Sequence, residues 1–318
     1  MYNSTLSNLI AGAVSRLEAE LELAMPVMSP HIWAWLRQLA GSNQLQDYFQ
    51  HPLAFPSLLL PWWLDDCLDG VIDETLQADL IYSTLNGYLY IRLIDNVMDG
   101  HSTDEPQLLP ALGFFHTQFQ CTYINYFAPE HPFWPYFQST WYQSAESAMA
   151  EARTPRLDAA QFQQISAKKV CAAKIPLAAV CHFHDQPDML EPWGRLVDLL
   201  GGWHQMHNDL FGWHKDVATG VTTYFLSEAE QRRAPAESVA GWVAREGFAW
   251  GMAALAEMMA AVTAHAGALA CPELLAYLDT RQQLLDKQRQ QAEKGLAALA
   301  KLVNATESTP GQGIKGEG

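Results

Sequence analysis

The segment around which this chain is organised lies at residues 208–216 and reads NDLFGWHKD. Residues four apart share a helix face, so Asn208, Gly212 and Asp216 are predicted to align one turn apart. An amide oxygen and a carboxylate beside a position without a side chain suit a hard cation, which prefers oxygen ligands. Glycines at 201–202 lie upstream, and glycine inside a helix costs about 1 kcal/mol relative to alanine. We infer that this helix needs open space beside it.

A second acid-bearing segment closes a predicted helix over residues 73–99. From Leu93 it reads LIDNVMDG. Asp95 and Asp99 are four apart and therefore share a helix face, and Gly100 suits a helix C-cap. The end of this long apolar helix thus presents two carboxylates on one side.

These two segments resemble the metal motifs of the class I isoprenoid (terpene) synthase and trans-prenyl diphosphate synthase superfamily. Residues 208–216 are similar to its second motif, (N/D)D(L/I/V)x(S/T/G)xxx(E/D), although Gly212 replaces the usual Ser or Thr and Asp216 the usual Glu. Residues 95–99 are similar to its first motif, DDxxD, with Asn96 in the second place. The chain is identified as an atypical member of this superfamily.

The resemblance implies a Mg²⁺ site, with Mn²⁺ as a substitute. The metal-binding residues that it implies are Asp95, Asn96, Asp99, Asn208, Asp209, Gly212 and Asp216. Those implied to be catalytic are Asp95, Asp99, Asn208 and Asp216. Magnesium commonly combines a few carboxylates with substrate phosphates and water, so two sparse acidic faces suit it.

The resemblance also implies basic residues that contact a substrate diphosphate. The candidates are Lys174, Lys169, Lys215 and Arg92. Two of them, Lys169 and Lys174, lie in an apolar context, where an unpaired ammonium is costly. An anionic ligand would relieve that cost, and so would a side chain that extends to solvent.

The activity implied is ionisation of an allylic C15–C25 prenyl diphosphate, with release of diphosphate and formation of a terpene hydrocarbon or alcohol. Such an enzyme must keep a carbocation from water, and aromatic faces attract cations by about 2 kcal/mol when desolvated. Tyr88 lies seven residues before Asp95 on the same predicted face, and Phe211 and Trp203 are further candidates for the cavity wall.

Three alternatives accompany this hypothesis. Chain-elongating synthases carry additional basic segments for a second diphosphate; none is visible here, so we expect a lyase and keep elongation as the alternative. A non-catalytic helical protein that binds a hydrophobic ligand is another possibility. Histidines 204, 207 and 214 crowd the second motif and suggest a zinc site, but we interpret 204 and 207 as hydrogen-bonded or core residues.

The first motif has a competitor at residues 65–69, which read DDCLD and match DDxxD literally. Pro61 stands four residues before Asp65, so no long helix leads into this segment. Three predicted helices lie between Asp95 and the Asn208 helix, as in the superfamily. We therefore favour Asp95, and interpret the competitor as a solvated first turn, where acids suit a helix N-terminus.

The composition excludes several classes of protein. The chain has 318 residues, 49% of them hydrophobic, and a formal net charge of −16. So acidic a chain is unsuited to nucleic acid or an anionic membrane as its main partner. Its five cysteines form no CxxC pair, which indicates reduced thiols and a cytoplasmic location. The most apolar segment, residues 248–270, is interpreted as a buried helix rather than a stable membrane span.

Apolar spacings of three and four run along almost the whole chain and predict an all-α fold. Helices are predicted over residues 3–24, 31–49, 73–99, 106–127, 133–152, 158–183, 188–216, 236–268 and 272–303. No linker divides the chain, so residues 1–305 are predicted to form one helical domain and residues 306–318 a disordered tail. The resemblance implies a bundle of the class I terpenoid synthase type with a central apolar cavity, and allows a homodimer.

Overall fold

The computed structural model describes residues 2–99, 105–152 and 154–307. The side chains described exclude those of residues 69, 99, 148–152 and 296–307. Within this part of the chain every regular element is helical and no strand occurs, which confirms the predicted all-α fold.

The helices follow one another through short connections. In chain order they are α1 (Ser4–Ala24), α2 (Ser29–Ala40), α3 (Gln46–Phe49), α4 (Leu59–Asp69), α5 (Glu74–Asp99), α6 (Leu112–Ile124), α7 (Phe133–Ala152), α8 (Ala159–Lys169), α9 (Lys174–Phe183), α10 (Leu190–Thr219), α11 (Tyr224–Arg232), α12 (Val239–Trp242), α13 (Phe248–Ala268) and α14 (Pro272–Glu307). Three 3₁₀ turns (Glu105–Ala111, Cys171–Ala173 and Pro187–Met189) and a π-helical turn (Val243–Gly247) complete the order.

Local chemistry fixes several helix ends. The Asn3 side chain accepts a hydrogen bond from a first-turn N–H of α1 at 2.8 Å. Asp158 and Gln161 form a reciprocal capping box at the start of α8. Gly220 ends α10 with φ at +71°, a left-handed conformation that favours glycine.

Helix α10 is the centre of the bundle and packs against α8, α9, α11 and α13. The closest approach occurs at Gly201, where an added Cβ would lie 2.4 Å from Val170 Cγ2 and 3.1 Å from the Ser166 carbonyl oxygen. The space expected beside this helix is therefore filled at Gly201 by the end of α8 and the residue after it. At Gly202 an added Cβ would be 3.9 Å from Gln163, which is ordinary contact.

Breaks interrupt two of the helices predicted from the sequence. The predicted helix 31–49 stops at Gly41, which adopts the left-handed conformation (φ +63°). The predicted helix 158–183 is divided by a 3₁₀ turn, and Pro176 falls in the first turn of α9, where proline is tolerated. The predicted helix 236–268, by contrast, runs without a break from Val239 to Ala268 through the π-helical turn.

Two short helices, α4 and α11, were not predicted from the sequence. In α4 a proline stands within the first turn, so the helix starts despite it. At the other end of the chain, α14 continues to Glu307, past the predicted domain boundary at 305. The predicted disordered tail falls largely outside the described residues.

One stretch, Val239–Ala268, is long and apolar enough to cross a membrane by length and composition alone, with a mean hydropathy of 1.3. Its buried positions in α13 recur every three or four residues, and they are Phe248, Gly251, Leu255, Met259, Val262 and Ala266. An added Cβ at Gly251 would lie 2.6 Å from Leu210 Cδ1 of α10. One face of this helix is therefore packed closely into the bundle, while 33% of its most apolar window is buried.

Candidate functional site

A cavity of about 520 Å³ opens between α5 and α10. Tyr88 contributes to its wall from α5, and His204 and Asn208 from α10. The segment that connects α2 to α4 supplies most of the remaining wall. Its volume falls within the roughly 300–1,000 Å³ that is usual for small-molecule sites.

A smaller, predominantly apolar cavity of about 140 Å³ adjoins the first. Residues Phe55, Ser57, Tyr88 and Val170 line both cavities. The inner wall includes Phe119 of α6 and Trp141 of α7. An apolar chamber therefore continues inward from the larger, more polar one.

Tyr88, which was predicted to line the cavity, stands at the junction of the two chambers. Its hydroxyl bonds to that of Tyr48, and its ring centroid lies 5.2 Å from that of Phe49. Burial raises the pKa of the Tyr88 phenol, and the neighbouring Tyr48 adds to the effect. This side chain is consequently a neutral aromatic wall at physiological pH.

Asp95 lies in the last part of α5, two turns beyond Tyr88. Its side chain is 43% exposed, and one carboxylate oxygen is 3.5 Å from Arg92 Nη1. Such an exposed pair contributes little stability. Arg92, predicted to contact a diphosphate, is therefore adjacent to the first acidic motif. The Asp99 side chain lies outside the described residues.

Asn96 has a different environment from its neighbour Asp95. It is buried, and its Nδ2 donates to Glu105 Oε1 at 2.6 Å. Trp35 Nε1 donates to the same oxygen at 2.8 Å. The structure thus places Asn96 in a buried hydrogen-bond network between α5 and α2, and its metal-binding role stays a prediction.

The second motif is divided between two sides of α10. Asn208 is exposed to the cavity, whereas Asp209 is buried and accepts a hydrogen bond from Gln205 at 2.8 Å. Gly212 and Asp216 are half-buried, and an added Cβ at Gly212 would have Asp216 Oδ2 as its nearest neighbour, at 3.9 Å. The glycine therefore leaves room beside this carboxylate.

The predicted basic residues occupy three different environments. Lys174 Nζ lies 2.6 Å from Asp198 Oδ1, so the anionic partner that its charge requires is supplied by the protein. Lys169 lines the smaller cavity. Lys215 is exposed on α10.

The other two aromatic candidates are not among the residues that line either cavity. Trp203 is 1% exposed, and its ring centroid is 5.5 Å from that of His207. The ring centroid of Phe211 lies 4.8 Å from that of His207 and 6.0 Å from that of Phe248. Both belong to the packing between α10 and its neighbours.

The literal DDxxD segment is placed differently from its sequence interpretation. It lies in the last two turns of α4 rather than in a solvated first turn, and Asp65 is fully buried. The Asp65 carboxylate accepts from Gln77 Nε2 at 2.9 Å and from the Asp73 N–H at 3.3 Å, and lies 2.6 Å from His184 Nε2. The carboxylate oxygens of Asp65 are therefore already engaged by hydrogen-bonding groups of the protein.

Two residues within and behind the cavity wall lie outside the site predicted from the sequence, which interprets His204 as a hydrogen-bonded or core residue. His204 faces the cavity, and Arg281 of α14 lies behind it, with Nη2 3.4 Å from His204 Nδ1. The helical spacing of four between His204 and Asn208 could have indicated the first. No local pattern points to Arg281, because α14 is distant in sequence.

Burial, and after it the positive charge of Arg281, lower the pKa of His204 to about 3. The imidazole is therefore neutral at physiological pH. Both effects disfavour the charged form.

The fit to a divalent cation is partial. Asp95, Asn208 and Asp216 offer the oxygen donors that Mg²⁺ prefers. Across the described side chains, however, no three His, Cys, Asp or Glu residues are grouped closely enough to hold a metal ion. A cation bound here would need further oxygens from a ligand or from water.

A second large groove, of about 590 Å³, lies between α13 and α14. Its charged residues are engaged with each other or with neighbours: Arg245 pairs with Glu246 at 2.8 Å, and Arg289 lies 3.8 Å from Asp286. It contains none of the predicted site residues, so we place the candidate site at the cavity between α5 and α10.

Comparison with known proteins identifies a similar fold but no relative by sequence. No protein-family model matches the chain, and no curated protein matches it. Among solved structures it is similar to the geranylgeranyl pyrophosphate synthetase from the archaeon Geoglobus acetivorans, with a TM-score of 0.61 and 12% identity over 93% of this chain and 99% of that one. This confirms the predicted fold, an all-α bundle of the class I isoprenoid synthase type.

Proposed function

We propose that this protein is a Mg²⁺-dependent enzyme that ionises an allylic prenyl diphosphate and releases diphosphate. The observation that carries the proposal is a cavity between α5 and α10 in a bundle of this fold. Each of these helices bears one of the two acidic motifs, and each contributes to the cavity wall, through Tyr88 and Asn208. The larger cavity carries the polar side chains of His204 and Asn208, whereas the adjoining chamber is predominantly apolar, which matches a ligand with a charged head and a hydrocarbon tail.

We assign the charged end of the substrate to the two acidic motifs, of which Asn208 lines the larger cavity. Asp95, Asn208 and Asp216 would bind Mg²⁺ together with diphosphate oxygens and water. When bound, Mg²⁺ neutralises the charge that develops on the leaving group.

The inner chamber would hold the hydrocarbon tail. Tyr88, Phe119 and Trp141 exclude water from it, and their faces favour a developing cation. Because the Tyr88 phenol is neutral and bonded to Tyr48, it presents a ring rather than a nucleophilic phenolate.

We favour a terpene synthase, a lyase that converts one prenyl diphosphate to a hydrocarbon or alcohol, because no second set of basic residues for a second diphosphate is visible in the sequence. A chain-elongating prenyl diphosphate synthase is the second candidate. It is supported by the similarity in fold to the archaeal geranylgeranyl pyrophosphate synthetase.

A substrate screen separates these candidates. The protein is incubated with Mg²⁺ and prenyl diphosphates of ten, fifteen, twenty and twenty-five carbons, with and without isopentenyl diphosphate. A terpene synthase releases pyrophosphate and gives volatile products by gas chromatography without isopentenyl diphosphate. An elongating enzyme gives longer prenyl diphosphates only when isopentenyl diphosphate is present. No pyrophosphate release in any mixture would favour a non-catalytic binding protein.

Variants test the assignment of the motifs. Asp95→Asn and Asn208→Ala are each expected to abolish pyrophosphate release while leaving the helical circular dichroism spectrum unchanged. Asp188→Asn, an exposed acid before α10, is the matched control and should retain activity. If Asp65→Asn abolishes turnover and Asp95→Asn does not, the first motif has been assigned to the wrong segment.

A further inference from the structure

Arg281 of α14 is a buried cation whose described neighbours include no carboxylate. It is 2% exposed, and Nη1 donates to the Pro52 carbonyl oxygen at 2.7 Å. Its Cζ lies 5.2 Å from the Trp203 ring centroid and 5.5 Å from that of Tyr277. These partners are neutral, so they reduce the cost of burying the charge without cancelling it.

The contact between Arg281 and His204 fixes the state of the imidazole. A guanidinium has only donors, so its Nη2, at 3.4 Å, must donate to His204 Nδ1. The burial that lowers the pKa of His204 also keeps the ring neutral. With Nδ1 as an acceptor, the ring proton of the neutral imidazole lies on Nε2.

His204 belongs to the wall of the larger cavity, and Arg281 contacts His204 without lining the cavity itself. His204 lines it one turn before Asn208, and its ring meets that of Phe55 edge-on at 5.8 Å. Arg281 holds Pro52, in the segment that forms much of this wall. The wall therefore combines an N–H donor with a positive charge directly behind it.

We propose that His204 and Arg281 form a binding subsite for an anion of the phosphate class in this cavity. His204 donates its Nε2–H to an anionic oxygen of the ligand. Arg281 is a positioning residue, which fixes the tautomer of His204 and supplies positive charge behind it. The subsite deepens the proposed function, on which it rests for the expectation that the natural ligand is a diphosphate ester.

Binding of inorganic pyrophosphate, measured by isothermal titration calorimetry, tests the subsite. Mg²⁺ is included because Asp47, on the same wall, would otherwise repel the anion. We expect His204→Leu and Arg281→Met each to raise the Kd about tenfold or more, the range for a hydrogen bond to a charged group. His204→Gln, which retains an amide donor, should recover most of the affinity.

Two controls separate a binding role from a packing role. Arg289→Met removes an exposed arginine from the same helix and should leave the Kd unchanged. Farnesol, an uncharged ligand with a hydrocarbon tail, should bind equally to the wild type and to all variants. Wild-type affinity of His204→Leu for pyrophosphate, or equal loss of farnesol and pyrophosphate binding, would overturn the subsite.

A measurement on the wild-type protein remains decisive if Arg281→Met does not fold. In two-bond ¹H–¹⁵N spectra of histidine-labelled protein, His204 should show the Nε2–H tautomer between about pH 5.5 and 8, a range in which an unperturbed histidine titrates. Its signal is assigned by its absence from His204→Gln. The Nδ1–H tautomer at His204 would refute the proposal.

The subsite and the proposed function can fail separately. If the wild type binds pyrophosphate through His204 but releases none from any prenyl diphosphate, the subsite stands and the proposed function falls. If prenyl diphosphates are turned over while pyrophosphate binding is independent of His204, the proposed function stands and the subsite falls.

Discussion

At the scale of single residues, two acidic segments with similar amino-acid sequences lie in opposite environments. Asp65 is fully buried and bonded to Gln77 and His184, whereas the Asp95 side chain is 43% exposed and pairs with Arg92. The local sequence does not determine this difference, because the exposure of each carboxylate depends on which helices cover it. We therefore expect the first segment to stabilise the fold and the second to serve the site.

Replacing Asp65 tests its structural role. Asp65→Ala leaves the buried donors of Gln77 and His184 without an acceptor, and each such group costs about 1–3 kcal/mol. We expect the free energy of unfolding in urea to fall by about 3 kcal/mol or more. Any loss of turnover in Asp65→Ala should come from a smaller fraction of folded protein, while the folded molecules retain their activity.

The neighbouring half-buried Asp66 provides the matched control. Asp66→Ala should alter the free energy of unfolding by less than about 0.5–1 kcal/mol. Unchanged stability of Asp65→Ala together with complete loss of turnover would show that the buried carboxylate belongs to the catalytic site.

The neutral state of His204 predicts a pH dependence of stability. Its pKa is lowered from 6.5 to about 3 by burial first and then by Arg281 and His207. Between these values the unfolded chain binds a proton that the folded chain excludes, so the free energy of unfolding falls as the pH drops from 6.5 towards 3.

Urea titrations at several pH values measure this slope. His204→Gln should make the acid limb shallower. A remaining slope is expected, since burial also lowers the pKa of His207 and His182. An identical slope in the variant would contradict the burial of a neutral imidazole at this position.

At the scale of elements, the packing of α8 onto α10 depends on one glycine. An alanine Cβ at Gly201 would lie 2.4 Å from Val170 Cγ2 and 3.1 Å from a backbone oxygen of α8, so the helices must move apart. Overpacking of this kind typically costs about 1–3 kcal/mol. We expect Gly201→Ala to lower the melting temperature, measured by circular dichroism.

The adjacent glycine is a control within the same helix. At Gly202 the nearest atoms would be 3.9 Å away, so alanine fits without displacement. Because alanine is the better helix former by about 1 kcal/mol, Gly202→Ala should leave the melting temperature unchanged or raise it. Equal destabilisation by both variants would argue against the close approach at Gly201.

At the scale of the whole molecule, the metal and the ligand are expected to bind together. The described side chains contain no group of three metal-ligating His, Cys, Asp or Glu residues, so Mg²⁺ alone should bind weakly. Ligand that binds only the folded state stabilises it by mass action. Pyrophosphate with Mg²⁺ should therefore raise the melting temperature by more than the sum of their separate effects.

Chelation provides the complementary measurement. EDTA should stop pyrophosphate release and remove this joint stabilisation, while the helical circular dichroism signal stays unchanged. A large increase in melting temperature with Mg²⁺ alone would indicate a metal site built by the protein itself.

The sequence predicted the long helices better than the short ones. The apolar period identified α5, α10 and α14, because many residues contribute to it along a long helix. Helices α4 and α11 were missed, since each is short and flanked by breaks. Of the cavity candidates, Tyr88 lines both cavities, whereas Trp203 and Phe211 pack against His207; a contact of any of the three with substrate stays a prediction.

The sequence by itself determined that the chain is helical, and which residues share a helix face with Asp95 and Asn208, because both follow from the helical period. Only the tertiary structure decided that Asp65 is buried, that Lys174 is paired with Asp198, and that Arg281 stands behind His204. These contacts join residues far apart in sequence. They depend on how the helices pack, which no local pattern records.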